Sequence, residues 1–228
     1  MTVKRFDDRE QARLRSWAQD FRVELSPDQI HLLTIYLKEL WDWNRHMNLT
    51  GLATEEGIIK ELLLDSLISL PLLPEQGRLL DIGSGAGFPA IPMKICRPGM
   101  KLHLVEANSK KVSFLKQVIR ITELGEIDVI RGRVENSSGL LCPEGYDIVS
   151  ARALAHLPQT IAWCAPHLMD GGVLVTFQGR QFENTLKESA YVIRKYGLDL
   201  YKSVSYVLPE TDCHRNILIF RKNDCRTD

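Results

Sequence analysis

No stretch of this sequence approaches the roughly 18 apolar residues that a membrane-spanning helix needs. Its first ten residues, MTVKRFDDRE, are too charged for a secretory leader. A membrane protein and a secreted one are thereby set aside, and a cytoplasmic location is expected. Cysteine is sparse: five residues, Cys96, Cys142, Cys164, Cys213 and Cys225, odd in number and never spaced as C-x-x-C. Such a pattern supplies neither a disulfide framework nor a zinc site. The six histidines are equally scattered, none at metal-ligand spacing from a Glu or another His, so no metal is expected. Neither sign of charge is in excess, with 29 Lys and Arg against 29 Asp and Glu. A nucleic-acid partner must therefore be gripped by a local patch, because bulk electrostatics gives it no support.

The 228 residues, 44% hydrophobic and 25% charged, suffice for one substantial domain with or without a small appended part. Up to about residue 70 the pattern is helical. Ser26-Pro-Asp-Gln29 reads as a capping box with Pro at the first helical position. Behind it Ile30, Leu33, Leu37, Leu40 and Trp41 recur at helical spacing. The helix runs into a polar segment, Trp43-Asn-Arg-His-Met-Asn-Leu-Thr-Gly51, which fits either a C-cap with its turn or a ligand-facing stretch. A second helix starts near Thr54 and is ended by Pro71 and Pro74. From Arg78 onward strands and helices alternate, with strands at 79–82, 101–106, 127–130, 146–150 and 173–177. Helices are expected from 88 to about 96, 109 to 124, 158 to 169 and 183 to 196. Two last strands, about 198–207 and 216–221, have no helix between them and should pair antiparallel. The prediction is an α/β, Rossmann-like doubly wound fold whose seven-stranded sheet is mostly parallel. An N-terminal helical extension (1–74) is expected to pack on this core domain (75–228).

The chain is organised around Arg78-Leu-Leu-Asp-Ile-Gly-Ser-Gly-Ala-Gly-Phe-Pro-Ala90, a buried strand that breaks into a glycine-rich turn before a helix. Gly83 and Gly85 match the start of a dinucleotide fingerprint, but position 88 is Phe where a small residue is required. No Gly-Lys-Ser/Thr follows, which excludes a P-loop. The G-x-G-x-G spacing of Gly83, Gly85 and Gly87 is the form used by S-adenosylmethionine (SAM) methyltransferases. Glu106 ends the second strand 19 positions after Gly87, close to the roughly 20 expected of a ribose-binding acid. After the third strand, Val134 is placed to pack on an adenine ring, and Glu135 or backbone groups to meet its edge. After the fourth, Arg152 should face the cleft, pairing with a methionyl carboxylate or an RNA phosphate, or else with an acid such as Asp81 or Glu135. Lys110, Lys111, Lys116 and Arg120 recur along one helix and, with Arg131 and Arg133, form either a phosphate-gripping face or a solvated one.

With these pieces assembled, the chain resembles the bacterial 16S ribosomal RNA guanine-N7 methyltransferase family, RsmG (also called GidB). The resemblance runs from about Trp41 to Arg221 and rests on the Trp43–Gly51 segment, Leu64-Asp-Ser-Leu67, the glycine loop, Leu104-Val-Glu-Ala-Asn108, Gly132-Arg-Val-Glu135 and Ser150-Ala-Arg-Ala-Leu-Ala155. It implies a SAM site at Gly83, Gly85, Phe88, Val134, Glu135 and Arg152, with Glu106 on the ribose. It also implies methylation of one guanine of the small-subunit RNA. Family members usually carry His before Leu-Asp-Ser, Gly after Phe-Pro and Lys after the fifth strand; here those places hold Leu62 or Leu63, Ala90 and Gln178. Guanine N7 has a free lone pair and no proton, so no catalytic general base is expected, and Asn48 and Arg152 are candidates for positioning only. Lys111 and Arg133 are the candidate RNA-binding residues, 16S rRNA in the small ribosomal subunit the expected partner, and a monomer the expected state. The alternative is a SAM-dependent methyltransferase acting on a small molecule, for which the neutral charge is comfortable.

Overall fold

The computed structural model describes residues 8–136 and 141–224. Helices α1 (Asp8–Asp20) and α2 (Pro27–Met47) come first. The capping box at the start of α2 is formed on both sides: Ser26 Oγ accepts from Gln29 N–H at 3.2 Å, and Gln29 Oε1 accepts from Ser26 N–H at 2.8 Å. Next α3 (Glu55–Gly57) leads into a π-helical stretch, Ile58–Leu64, which passes into α4 (Asp65–Ile68). One regular helix was expected there; the wider turn leaves main-chain carbonyls that another part of the chain takes up, as described below.

The remainder alternates: β1 (Arg78–Ile82), α5 (Ala90–Cys96), β2 (Lys101–Glu106), α6 (Ser109–Thr122), β3 (Ile127–Arg131), β4 (Tyr146–Ala151), α7 (Leu157–Cys164), β5 (Leu168–Gln178), α8 (Phe182–Glu188), α9 (Ala190–Lys195), β6 (Leu198–Val207) and β7 (His214–Lys222). The seven strands form one sheet in the order β3-β2-β1-β4-β5-β7-β6. Strands β1 to β5 run parallel, and β7 lies antiparallel to both of its neighbours, β5 and β6. The fold is thus the Rossmann-like arrangement expected. Two boundaries differ from the expectation. The helix begun at Leu157 stops at Cys164, because Pro166 cannot donate to a continuing helix, and Leu168–Gly172 instead extend β5. The helix predicted over 183–196 is divided at Ser189, whose hydroxyl bonds back to the Thr185 carbonyl at 2.7 Å.

Strand alternation sorts the core into two halves. Leu79, Leu102, Leu104, Ile148, Val173, Val175, Ile217 and Ile219 face a cluster shared with α1, α2, the π-helical stretch and α4 to α6, in which Leu14, Leu33, Leu40, Leu63 and Leu67 are fully buried. The alternate residues Leu80, Ile82, Val105, Val149, Leu174, Leu218 and Phe220 face a second cluster with α7 and residues of α8 and α9. The N-terminal helices and the sheet therefore share one apolar interior. Among the described residues no helix is long and apolar enough to cross a membrane.

A buried polar network fastens the N-terminal helices to the sheet. Asp65, at the start of α4, is 1% exposed and pairs with Arg152 Nη2 at 3.0 Å. Its other oxygen accepts from the Tyr206 hydroxyl of β6. Arg152 also donates to the main-chain carbonyls of Glu61 and Leu62 in the π-helical stretch and lies 5.6 Å over the Phe177 ring. Arg215 of β7 pairs with Glu61 at 3.1 Å. Burial raises the Asp65 carboxyl above its ordinary range, while Arg152 and the Tyr206 hydroxyl pull it back. Removing one member strands the other charge in a dry interior. Asp65→Ala should therefore lower unfolding free energy by about 3–5 kcal/mol, measured by urea denaturation; a loss under about 1 kcal/mol would show the pair to be energetically idle.

Candidate functional site

In an open parallel sheet the ligand crevice lies at the carboxyl ends of the strands where strand order reverses. Here that place is the end of β1, between β2 and β4. The chain leaves β1 at Ile82 and turns through Gly83, Gly85 and Gly87, all with positive φ (+74°, +58° and +94°). Gly83 and Ser84 N–H both donate to the Val105 carbonyl, at 2.9 and 3.1 Å, and Gly87 N–H donates to Ser84 O at 2.7 Å. Two of the glycines serve different ends. A Cβ on Gly87 would lie 2.6 Å from Ile91 Cγ1 and 3.2 Å from Leu115 Cδ2, so this glycine lets α5 and α6 close on the loop. A Cβ on Gly85 would meet nothing nearer than 3.8 Å; its absence keeps the loop surface bare.

Glu106, at the end of β2 and 8% exposed, ties this turn to the next. Its Oε2 accepts from Gly85 N–H at 2.8 Å and its Oε1 from Asn108 N–H at 2.7 Å. Asn108 in turn caps α6, its side chain accepting from Lys110 N–H at 2.9 Å and Lys111 N–H at 3.4 Å. The first turn of α6 so brings Lys111 Nζ to the glycine loop, 3.9 Å from where a Gly85 Cβ would be.

A cleft of about 270 Å³ opens beside the loop. Gly83 and Glu106 line it with Arg133, Val134 and Glu135, which follow β3. Val134 is buried and Glu135 exposed. Leu154 and Trp163 close the apolar wall. The structure thus gathers Gly83, Glu106, Arg133, Val134 and Glu135 around one cavity, with Gly85 bonded to Glu106 behind it.

Three singled-out residues lie elsewhere. The Phe88 ring is buried in the core, its centroid 5.3 Å from that of Tyr36, because the chain enters α5 with this side chain turned inward. Arg152 was expected to face the cleft or to pair with Asp81 or Glu135; it is held by Asp65 instead. Asn48 is the left-handed C-cap of α2 (φ 46°), its Oδ1 accepting from Gly51 N–H at 3.0 Å. It borders a separate depression with Trp41 and Arg45. Asn44 is likewise occupied locally, with Leu52 O and Thr50, so of the two readings of this segment the turn accounts for both asparagines. Trp163 was missed: it stands two positions after the buried Ile161, off the inward stripe of α7, and nothing in its spacing marks it.

Asp81 is the buried acid at the end of β1. Its Oδ1 accepts from Ser150 Oγ at 2.5 Å, and Oδ2 is buried with no hydrogen-bond partner. Burial, opposed by hydrogen bonds from Ser150 and Ser84, pushes its pKa up to about 7. Among the described residues no group of three or more His, Cys, Asp or Glu is arranged to hold a metal ion.

A family model described as rRNA small subunit methyltransferase G matches residues 29–211. A protein named ribosomal RNA small subunit methyltransferase G from Syntrophus aciditrophicus is 37% identical over 213 residues, 92% of this chain and 88% of that one. One of the same name from Syntrophotalea carbinolica is 35% identical over 216 residues, 95% of this chain and all of its own. Among solved structures, the M. jannaschii TYW2 complex with AdoMet superimposes with a TM-score of 0.54 at 16% identity, covering 75% of this chain and 77% of that one. A ribosomal protein L11 methylase from Lactobacillus delbrueckii subsp. bulgaricus gives 0.56 at 12% identity, covering 72% and 79%. Both likenesses speak to the fold.

The Asp81 carboxyl carries a pH signature. Its folded pKa lies above the unfolded value, so the native state binds more protons between pH 4 and 7, and stability falls with rising pH across that window. Asp81→Asn removes this slope. The stability of the variant relative to the parent should therefore improve from pH 4.5 to pH 7 in urea titrations; an equal difference at both pH values would show that Asp81 ionises freely.

Proposed function

The chain belongs to the rRNA small subunit methyltransferase G family, and from that premise we propose that it transfers the methyl group of SAM to N7 of a guanine in 16S ribosomal RNA. The observation that carries the site assignment is the meeting of Glu106, Val134 and Glu135 beside the bare turn at Gly83 and Gly85. The cavity suits an adenosine. Each Glu106 oxygen has accepted one backbone N–H, and a carboxylate has about four lone-pair positions, so two remain for the vicinal hydroxyls of a ribose. Val134, Leu154 and Trp163 offer apolar faces to a purine ring, and Glu135 stands at their edge to accept from an exocyclic amine. Phe88 and Arg152 support the site from behind: the first fills the core under the loop, the second fixes the end of β4.

SAM supplies an electrophilic methyl on a sulfonium sulfur. Guanine N7 attacks with its own lone pair, so the protein has no proton to remove. Its contribution is to hold nucleophile, methyl and sulfur in line. In this reading Lys111, near the glycine loop, and Arg133, on the cleft wall, take RNA phosphates and form the local basic patch that a chain of zero net charge requires. With ribosomal RNA as substrate, the cytoplasm is the place of action. The helical part up to residue 74 and the sheet domain from residue 75 are taken to work as one unit, a reading supported by their shared interior.

The deciding experiment is transfer of labelled methyl from SAM to small ribosomal subunits prepared from cells without this protein. Label should appear at guanine N7 of the 16S RNA, and Glu106→Ala should raise the KM for SAM by roughly tenfold or more as two hydroxyl partners are removed. Label that enters small metabolites and no RNA would assign the chain to small-molecule methylation. The double variant Lys111→Glu/Arg133→Glu should raise the KM for subunits and flatten its salt dependence, by roughly one logarithmic unit of slope for each phosphate no longer neutralised. An unchanged salt slope would remove both residues from the RNA interface.

A further inference from the structure

The N-terminal helices reach the cofactor loop through one hydrogen bond. Tyr36, in the middle of α2, is fully buried, and its hydroxyl donates to the Ala86 carbonyl at 2.6 Å. Ala86 is the residue between Gly85 and Gly87 and is itself buried, at 6% exposed. The N–H of the same peptide unit, that of Gly87, donates to Ser84 O, and Gly85 N–H, two peptide units earlier, donates to Glu106. The loop is thus clamped at two peptide groups, with one unit between them, by partners from distant parts of the chain, Glu106 of β2 and Tyr36 of α2. The phenol ring is locked in turn, with ring centroids 5.3 Å from Phe88 and 6.4 Å from Phe114, and Trp43 lies 5.6 Å from Phe114.

We propose that Tyr36 is a positioning residue for the cofactor: its hydroxyl holds the Gly83–Gly87 turn in the shape that receives SAM, so the N-terminal helices are part of the cofactor site. The inference rests on reading the cleft as a SAM site. A ring alone would meet the packing need, since Phe fills the same space. The hydroxyl adds a partner for the carbonyl of a buried residue. Without it, the Ala86 carbonyl is left unpaired in the interior or must turn outward, and the peptides of Gly85 and Gly87 rotate with it. Those glycines permit the rotation, because both sit where backbone freedom is greatest. Binding would then have to restore the turn each time, which weakens affinity and leaves the assembled reaction centre unaltered. Burial also holds the phenol well above its ordinary pKa, so the donor stays protonated at any working pH.

The test compares the full-length protein with Tyr36→Phe and with Leu33→Val, which loosens packing at another fully buried position of α2 and removes no hydrogen bond. SAM affinity is measured by calorimetry, and kcat and KM by methyl transfer to small subunits. Tyr36→Phe should bind SAM about tenfold more weakly and raise the KM for SAM alike, with kcat at saturating SAM and the KM for subunits within about twofold of the parent. Leu33→Val should lower the melting temperature and keep the parental SAM affinity. Tyr36→Phe binding SAM as the parent does, or Leu33→Val weakening it equally, would reduce the bond to ordinary core packing and overturn the proposal. Failure of the unaltered protein to bind SAM would instead overturn the cofactor reading on which it stands.

Discussion

The carboxylate of Glu106 is the constraint from which the site is built. A strand that ends in a glycine turn leaves main-chain N–H groups without sheet partners, and a buried donor must find an acceptor. One oxygen takes Gly85 from the turn after β1; the other takes Asn108 from the turn after β2. The two loops that border the crevice are thereby set at a fixed separation by a single side chain, with lone pairs left over on the cleft side. Charge-assisted bonds of this type are the strong ones in a partly dry setting. The turn can carry three positive-φ residues in five positions because its peptide groups are tied from outside.

Much of this was legible in the residues. The capping box of α2, the strand ends at Ile82 and Glu106 and the G-x-G-x-G turn are local patterns whose chemistry does not depend on distant partners. The alternation of strands and helices likewise foretold a doubly wound sheet. What could not be read is pairing across long sequence separations. Arg152 carries no mark that distinguishes a ligand-facing guanidinium from one neutralised by Asp65, and nothing in an apolar run such as Ile58–Leu64 announces a π-helical turn that frees carbonyls for it. The family resemblance implies Phe88 at the cofactor; its ring instead packs in the core on Tyr36, fifty-two positions earlier. Trp163 escaped for the converse reason, since only the closing of α7 over the strand ends gives it a cavity to line.

Two kinds of force join the helical part to the sheet. Apolar burial is non-directional and would tolerate small slips between the layers. The polar network around Asp65 does not, because each of its bonds has a required geometry and a costly alternative. Asp65 and Glu61 come from the helical part, Arg152 from the end of β4, Tyr206 and Arg215 from the closing hairpin. Three separate regions of the chain must therefore be in register before any of these groups is satisfied. Such a network specifies one arrangement among several of similar hydrophobic content.

Strand β7 lies between β5 and β6, although it is the last of the seven in sequence. Until residues 214–222 dock, β6 has no strand to pair with and β5 presents an unpaired edge. The nascent sheet thus waits for its final strand, exposing the kind of unpaired edge on which neighbouring chains associate. A chain truncated after residue 207 would carry that unpaired edge permanently, even though every cleft-lining residue is present.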